Sequence, residues 1–193
     1  VAAITSRIAA EMNCREDEVF VASTGVIGVP LPIDKAMKGI GEAILAPPCG
    51  WEDAAKAIAT TDSFAKGAAT RAIIGDKSVN LVGIIKGSGM IAPDMATMLG
   101  FIFTDAAIEA DLWQAMLSAA NQSSFSCITV DGDSSTSDSI LAFATGAAGN
   151  RPLKAMTDAG ADALQAALSD LCLQLAHLVV RDGEGASKFI RIE

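Results

Sequence analysis

Apolar and polar positions along the chain switch repeatedly between helical and strand spacing. Residues 3–12 carry Ile4, Ile8 and Met12 one helical turn apart. Residues 18–23 read as a strand, and residues 24–32, with two glycines and two prolines, read as a loop. Helices are predicted over 34–45, stopped by Pro47-Pro48, and over 51–58. Strand-like runs over 68–74 and 79–85 flank Gly75-Asp76-Lys77, a good hairpin turn. Residues 97–103 are apolar throughout, as in a strand covered on both faces. A helix over 107–120 precedes strands over 126–130 and 139–144, which flank the loop Asp131-Gly132-Asp133-Ser134-Ser135. The last helix is the clearest: Leu164, Leu168, Leu171, Leu175 and Leu178 form one stripe, with Asp170, Gln174, His177 and Arg181 opposite. Asp182-Gly183 stops it, and 188–192 reads as a closing strand. Helices and hairpins in clusters predict an α+β fold of stacked layers, not a doubly wound parallel sheet.

Composition sharpens this picture. The chain has 193 residues, 51% hydrophobic and 19% charged, enough apolar material for one large core. Abundant alanine and glycine suit closely stacked layers. A net charge of −9 with scattered Lys and Arg argues against a nucleic-acid partner. No apolar run reaches the roughly 18 residues that would span a bilayer, and no signal segment is seen, so no membrane partner is expected. Cys14, Cys49, Cys127 and Cys172 lack C-x-x-C spacing and read as reduced thiols of a cytoplasmic protein, although pairing stays open for a secreted one. Val1 begins in a helical pattern and Glu193 ends an apparent strand, so a piece of a longer protein is expected, one region over 1–193.

Several chemistries are disfavoured by the residues themselves. His177 is the only histidine and lies on the polar face of a regular helix, reading as a solvated surface residue. Histidine general-base catalysis and a histidine-rich metal site therefore find little support, and no metal is expected. The Asp131 loop resembles a calcium loop, but its sixth and twelfth positions are Thr136 and Ala142 where glycine and glutamate are required. Neither Lys86-Gly87-Ser88-Gly89 nor 183–188 has phosphate-loop spacing.

One bond offers an alternative. A Gly-Ser-Gly loop runs through Pro93 into Ala96-Thr97, and a dense apolar strand follows. A threonine hydroxyl needs a base beside it to act as a nucleophile. Cleavage of Ala96-Thr97 would supply that base as the free α-amine of Thr97. On composition alone a threonine opening a strand is ordinary; the flexible loop before it and the rigid strand after it favour cleavage.

The segment 86–99, Lys86-Gly87-Ser88-Gly89-Met90-Ile91-Ala92-Pro93-Asp94-Met95-Ala96-Thr97-Met98-Leu99, closely resembles the cleavage region of the ornithine acetyltransferase family, the bifunctional glutamate N-acetyltransferases of arginine biosynthesis. Four more segments resemble the same family in the same order: Ser23-Thr24-Gly25-Val26-Ile27-Gly28 with Leu31-Pro32; Thr60-Thr61-Asp62; 129–133 with 135–138; and 181–188, Arg181-Asp182-Gly183-Glu184-Gly185-Ala186-Ser187-Lys188. The resemblance implies a layered α/β/β/α sandwich of the self-processing N-terminal-nucleophile type. It implies self-cleavage between Ala96 and Thr97 into an α part, 1–96, and a β part, 97–193, assembled as α2β2. It implies Thr97 as nucleophile, Thr24 and Gly25 as oxyanion donors, and Thr60, Lys86, Thr97 and Glu184 as substrate contacts. Acetyl would move from N-acetylornithine to glutamate with no cofactor, acetyl-CoA being a donor for some members. Family members are about twice this length, and the segments they carry before Val1 and after Glu193 complete the substrate pocket. Asp94 stands where asparagine is common. An aminopeptidase-like hydrolase with the same nucleophile and a non-catalytic fragment are the alternatives.

Overall fold

The computed structural model describes residues 1–92, 95–96 and 98–192. They form two compact units, 1–49 and 50–193.

The first unit contains helices α1 (Ala2–Met12) and α2 (Ile33–Leu45). Helix α1 ends at Asn13, whose left-handed backbone (φ 52°, ψ 48°) is tolerated by asparagine and closes the last turn. Ile4 and Ala9 are buried, whereas Met12, expected on the same stripe, is exposed. The strand expected over 18–23 does not form. Glu18 instead ends a short 3₁₀ turn, capped by the Glu18 carboxylate on the Arg15 N–H at 2.8 Å. A strand exists only where a neighbour takes up its backbone groups, and no other strand lies in this unit among the described residues.

The second unit is built on one four-stranded sheet. Helix α3 (Trp51–Ile58) leads into the hairpin β1 (Lys66–Ile74) and β2 (Lys77–Lys86), turned at Gly75 with φ +63°. Strands β3 (Ile91–Ala92) and β4 (Met95–Ala96) pair as a separate two-stranded ribbon. Strand β5 (Leu99–Thr104) then lies antiparallel to β2. After α4 (Ala110–Gln122), strand β6 (Ser139–Ala144) joins β5 in parallel. The order is β1-β2-β5-β6. A parallel neighbour requires a crossover, which α4 and the loop after it provide.

Helix α5 (Ala161–Arg181) covers one face of the sheet. Leu164, Leu168, Leu171 and Leu175 are fully buried as the stripe predicts, but the last buried position is Val179, and Leu178 sits at the margin. Gly83 permits the close approach: a Cβ there would lie 2.6 Å from Leu175 Cδ1. By length and composition α5 could cross a membrane, although Asp162, Asp170 and Arg181 interrupt it; here its apolar face packs on β1 and β2 within the core. The opposite face of the sheet carries Val82 and Phe103 at paired positions and a row Trp51, Phe103, Phe143 with ring centroids 5.0 and 5.4 Å apart. That face is only partly covered by α3: Val82, Phe103 and Phe143 stay half-exposed.

The mixed antiparallel and parallel sheet with its helices agrees with an α+β class. Two further expected strands are absent. Residues Phe125–Cys127 form a 3₁₀ turn, and 188–192 have no ladder partner. Among the described residues, neither segment has a neighbouring strand to take up its backbone groups. Asp94 and Thr97 lie outside the described residues.

Candidate functional site

Three segments that are far apart in sequence meet at one end of the sheet. The β1–β2 register sets Lys66 opposite Ile85, so the head of β1 adjoins the loop Lys86-Gly87-Ser88-Gly89 that leaves β2. The C-terminus of α5 reaches the same place and delivers Asp182 and Glu184. Lys66 is fully buried, with Nζ 2.5 Å from both Asp62 Oδ1 and Asp182 Oδ2. Asp62 also accepts from the Gly87 N–H at 2.8 Å and from the Thr60 N–H at 3.0 Å. Asp182 accepts from the Ser63 N–H at 2.9 Å and from the Ser63 hydroxyl. Burial pushes the Asp62 carboxyl up, but its N–H donors and the Lys66 ammonium outweigh that and hold it below its ordinary value. Asp182 is held down likewise, against burial, by Lys66 and Ser63.

The rim above this ion cluster carries the candidate substrate groups. Lys86 is 4% exposed. Burial pulls its pKa below the ordinary lysine value, opposed by the carboxylates of Asp62, Asp138 and Glu184 and assisted by Lys66. The Glu184 N–H donates to the Ser88 carbonyl at 2.6 Å, and the hydroxyls of Thr61 and Ser88 are 2.9 Å apart. The Glu184 carboxylate lies directly over Gly89, where a Cβ would be 2.8 Å from Oε2.

The loop after α4 grips the ribbon that precedes position 97. Asp131 accepts from the N–H groups of Met90 and Ile91 at 2.6 and 2.9 Å. The Val130 N–H and the Thr129 hydroxyl both donate to the Ile91 carbonyl. At the far end, Asp138 accepts from the Met98 N–H at 2.9 Å, and the Ser139 N–H donates to the Met98 carbonyl at 3.0 Å. The Ala96 backbone pairs with Ile91 across the ribbon.

The expected substrate residues Thr60, Lys86 and Glu184 all belong to the second unit, Thr60 bonded through its N–H to Asp62 and Lys86 in the field of Asp62 and Glu184. Thr24, half-buried, and Gly25, exposed, belong to the first unit. The nucleophile candidate Thr97 lies outside the described residues. His177 is not simply solvated: it is half-buried, edge-on to Phe189 at 5.5 Å, with its pKa lowered by burial and by Arg181 and Arg191. Sequence reasoning passed over Lys66 and gave Asp138, inside the 135–138 motif, no role of its own. Asp62 and Asp182 stood inside two of the quoted motifs, and Lys66 follows Asp62 by four residues, the one signal that could have singled it out.

A family model described as the ArgJ family matches residues 1–193. The chain belongs to the ArgJ family. Among relatives named "Arginine biosynthesis bifunctional protein ArgJ", that of Zymomonas mobilis is 62% identical over 192 residues, covering 100% of this chain and 47% of that protein. The ArgJ of Ruegeria pomeroyi is 50% identical over 194 residues, covering 100% of this chain and 46% of its own length. That of Gloeobacter violaceus is 49% identical over 179 residues, covering 92% and 44%. The ArgJ match bears out the resemblance carried by the five motifs. The chain spans about half the length of the curated ArgJ relatives it matches.

Proposed function

We propose that this chain carries the nucleophile-bearing part of a glutamate N-acetyltransferase of arginine biosynthesis, which moves acetyl from N-acetylornithine to glutamate through Thr97. The observation that carries the reading is the buried Asp62–Lys66–Asp182 cluster, to which the Thr60 N–H is bonded and within whose field, together with that of Glu184, Lys86 lies. Lys86 within the electrostatic reach of Glu184 suits the carboxylate and ammonium of an amino-acid substrate, and charge-assisted bonds to such groups are the stronger ones.

The chemistry starts in the uncut chain. The Thr97 hydroxyl oxygen attacks the Ala96 carbonyl carbon; a C–O bond forms, the C–N bond breaks, and the nitrogen takes the hydroxyl proton. Water hydrolyses the resulting ester, leaving the Ala96 carboxylate, the Thr97 hydroxyl and a free α-amine. An α-amine titrates at about 7.7–8.0 when unperturbed, near the optimum for a base at neutral pH. It takes the hydroxyl proton as oxygen attacks the acetyl carbonyl. Ornithine leaves with its amine protonated, and the glutamate amine then attacks the acetyl-threonine ester. The Thr24 hydroxyl and Gly25 N–H serve as oxyanion donors, each worth about 100- to 1,000-fold in turnover. Acetyl-CoA is a second donor in this scheme, and no cofactor is required.

The half-exposed face around Val82, Phe103 and Phe143 supports a second sheet over the first, giving the α/β/β/α sandwich, with the two cleaved parts paired as α2β2 in the cytoplasm. Intact-mass spectrometry of the full-length protein tests the reading. Scission at Ala96-Thr97 and an acetyl-sized adduct on the 97-onward part, discharged by glutamate, are expected. Acetate release independent of glutamate points to a hydrolase; an uncut chain without adduct overturns the proposal.

A further inference from the structure

We infer that Asp138 is a positioning residue for the reaction at the Ala96–Thr97 bond, acting through the backbone of Met98, with Asp131 as its counterpart at the other flank. The inference rests on the self-cleavage reading above and adds residues to it.

Four features of the loop support this. Met98 is joined to position 97 by a peptide bond, and both of its backbone groups are held from one place: its N–H by the Asp138 carboxylate at 2.9 Å and its carbonyl by the Ser139 N–H at 3.0 Å. The other flank is fixed by the same loop, through Asp131 on the Met90 and Ile91 N–H groups and through Thr129 and Val130 on the Ile91 carbonyl. Burial pushes the Asp131 carboxyl up, but the N–H groups of Asp133, Met90 and Ile91 outweigh it and hold the carboxyl below its ordinary value, so it stays an anionic acceptor. Asp138 also belongs to the charge environment of Lys86.

The physical consequence is orientation. An attack of one residue on the carbonyl before it needs the hydroxyl and that carbonyl held in a narrow geometry, and small misplacements cost large factors in rate. Ordinary strand pairing cannot supply this at the Met98 N–H, because β5 begins only at Leu99. The acceptor is instead a side chain from the start of β6, the strand parallel to β5. The Met98–Asp138 contact borders a cavity of about 260 Å³ lined also by Gln114, Asn121 and Ser126, so truncating Asp138 extends an existing space where water can enter.

The test follows scission of the pulse-labelled full-length chain in cell-free translation. Asp138→Ala is expected to cleave at least tenfold more slowly than wild type, and Asp138→Asn, which keeps an acceptor oxygen, to recover to within threefold of wild type. Equal rates for wild type and Asp138→Ala overturn the inference. So does an Asp138→Asn variant at least tenfold slower than wild type, a result that stands even if Asp138→Ala does not fold. A wild type that never splits is a different outcome: it sinks the self-cleavage reading itself.

Discussion

Lys66 Nζ and Asp182 Oδ2 lie 116 residues apart in sequence and 2.5 Å apart in the fold. With Asp62 on the other side of the ammonium, this pair ties the start of β1, the loop after β2 and the end of α5 into one unit.

Removing the cation leaves two carboxylates facing each other out of water. Lys66→Met is expected to cost about 3–5 kcal/mol, the usual penalty for breaking a buried ion pair from one side. The pH dependence gives a second readout. Both carboxyls have folded pKa values below their ordinary 3.8, so their contribution is complete above 3.8 and is lost as pH falls through the folded values. In Lys66→Met the part of the depression that comes from the ammonium is lost, while the Gly87, Thr60 and Ser63 donors remain, and acidification should cost the variant less than it costs the wild type. Urea unfolding midpoints from about pH 3 to about pH 7 measure both effects.

Lys86 works in the opposite sense. Its folded pKa lies below the ordinary 10.5, so the charged form is disfavoured by folding. That cost is present at neutral pH and vanishes above 10.5. Lys86→Met should therefore melt no lower than wild type, while the KM for N-acetylornithine rises about tenfold or more, the loss of one charge-assisted bond. A lowered melting point together with an unchanged KM would make Lys86 a structural lysine.

Gly89 and Glu184 form a steric pair. Gly89→Ala brings a methyl to within 2.8 Å of the present Glu184 Oε2 position. The end of a flexible side chain can swing away, so stability should change by less than about 1 kcal/mol. Substrate affinity should fall as far as in Glu184→Ala, and the double variant should be no worse than either single one. Strict additivity in this cycle would show that the two positions act independently.

Thr97→Ala should leave a single uncut chain without transfer activity, read by gel and by mass. Thr97→Ser keeps the hydroxyl and should still split. Scission in the alanine variant would rule out attack by this side chain.

The regular elements were legible where local pattern and packing agree. The α3 bounds, the β1–β2 hairpin and the leucine stripe of α5 follow from spacing and turn residues alone. Residues 18–23, 126–130 and 188–192 have strand composition but no ladder in the fold, because pairing depends on a neighbour rather than on propensity. The site divided in the same way. Thr60, Lys86 and Glu184 came from motifs, whereas Lys66 went unnoticed and Asp138, though inside a quoted motif, received no role, since the partners of both are brought to them by the fold.

The sequence by itself determined the family, the helices with the β1–β2 hairpin and the residue types available for chemistry, because periodicity, turn residues and ordered motifs are local properties of the chain. The tertiary structure alone decided which of those residues share an environment. The register of β1 on β2 and the reach of α5 brought two distant aspartates to one buried lysine, and the parallel placement of β6 brought Asp138 to the Met98 N–H. Contacts of that kind arise from how layers pack, and no local pattern encodes them.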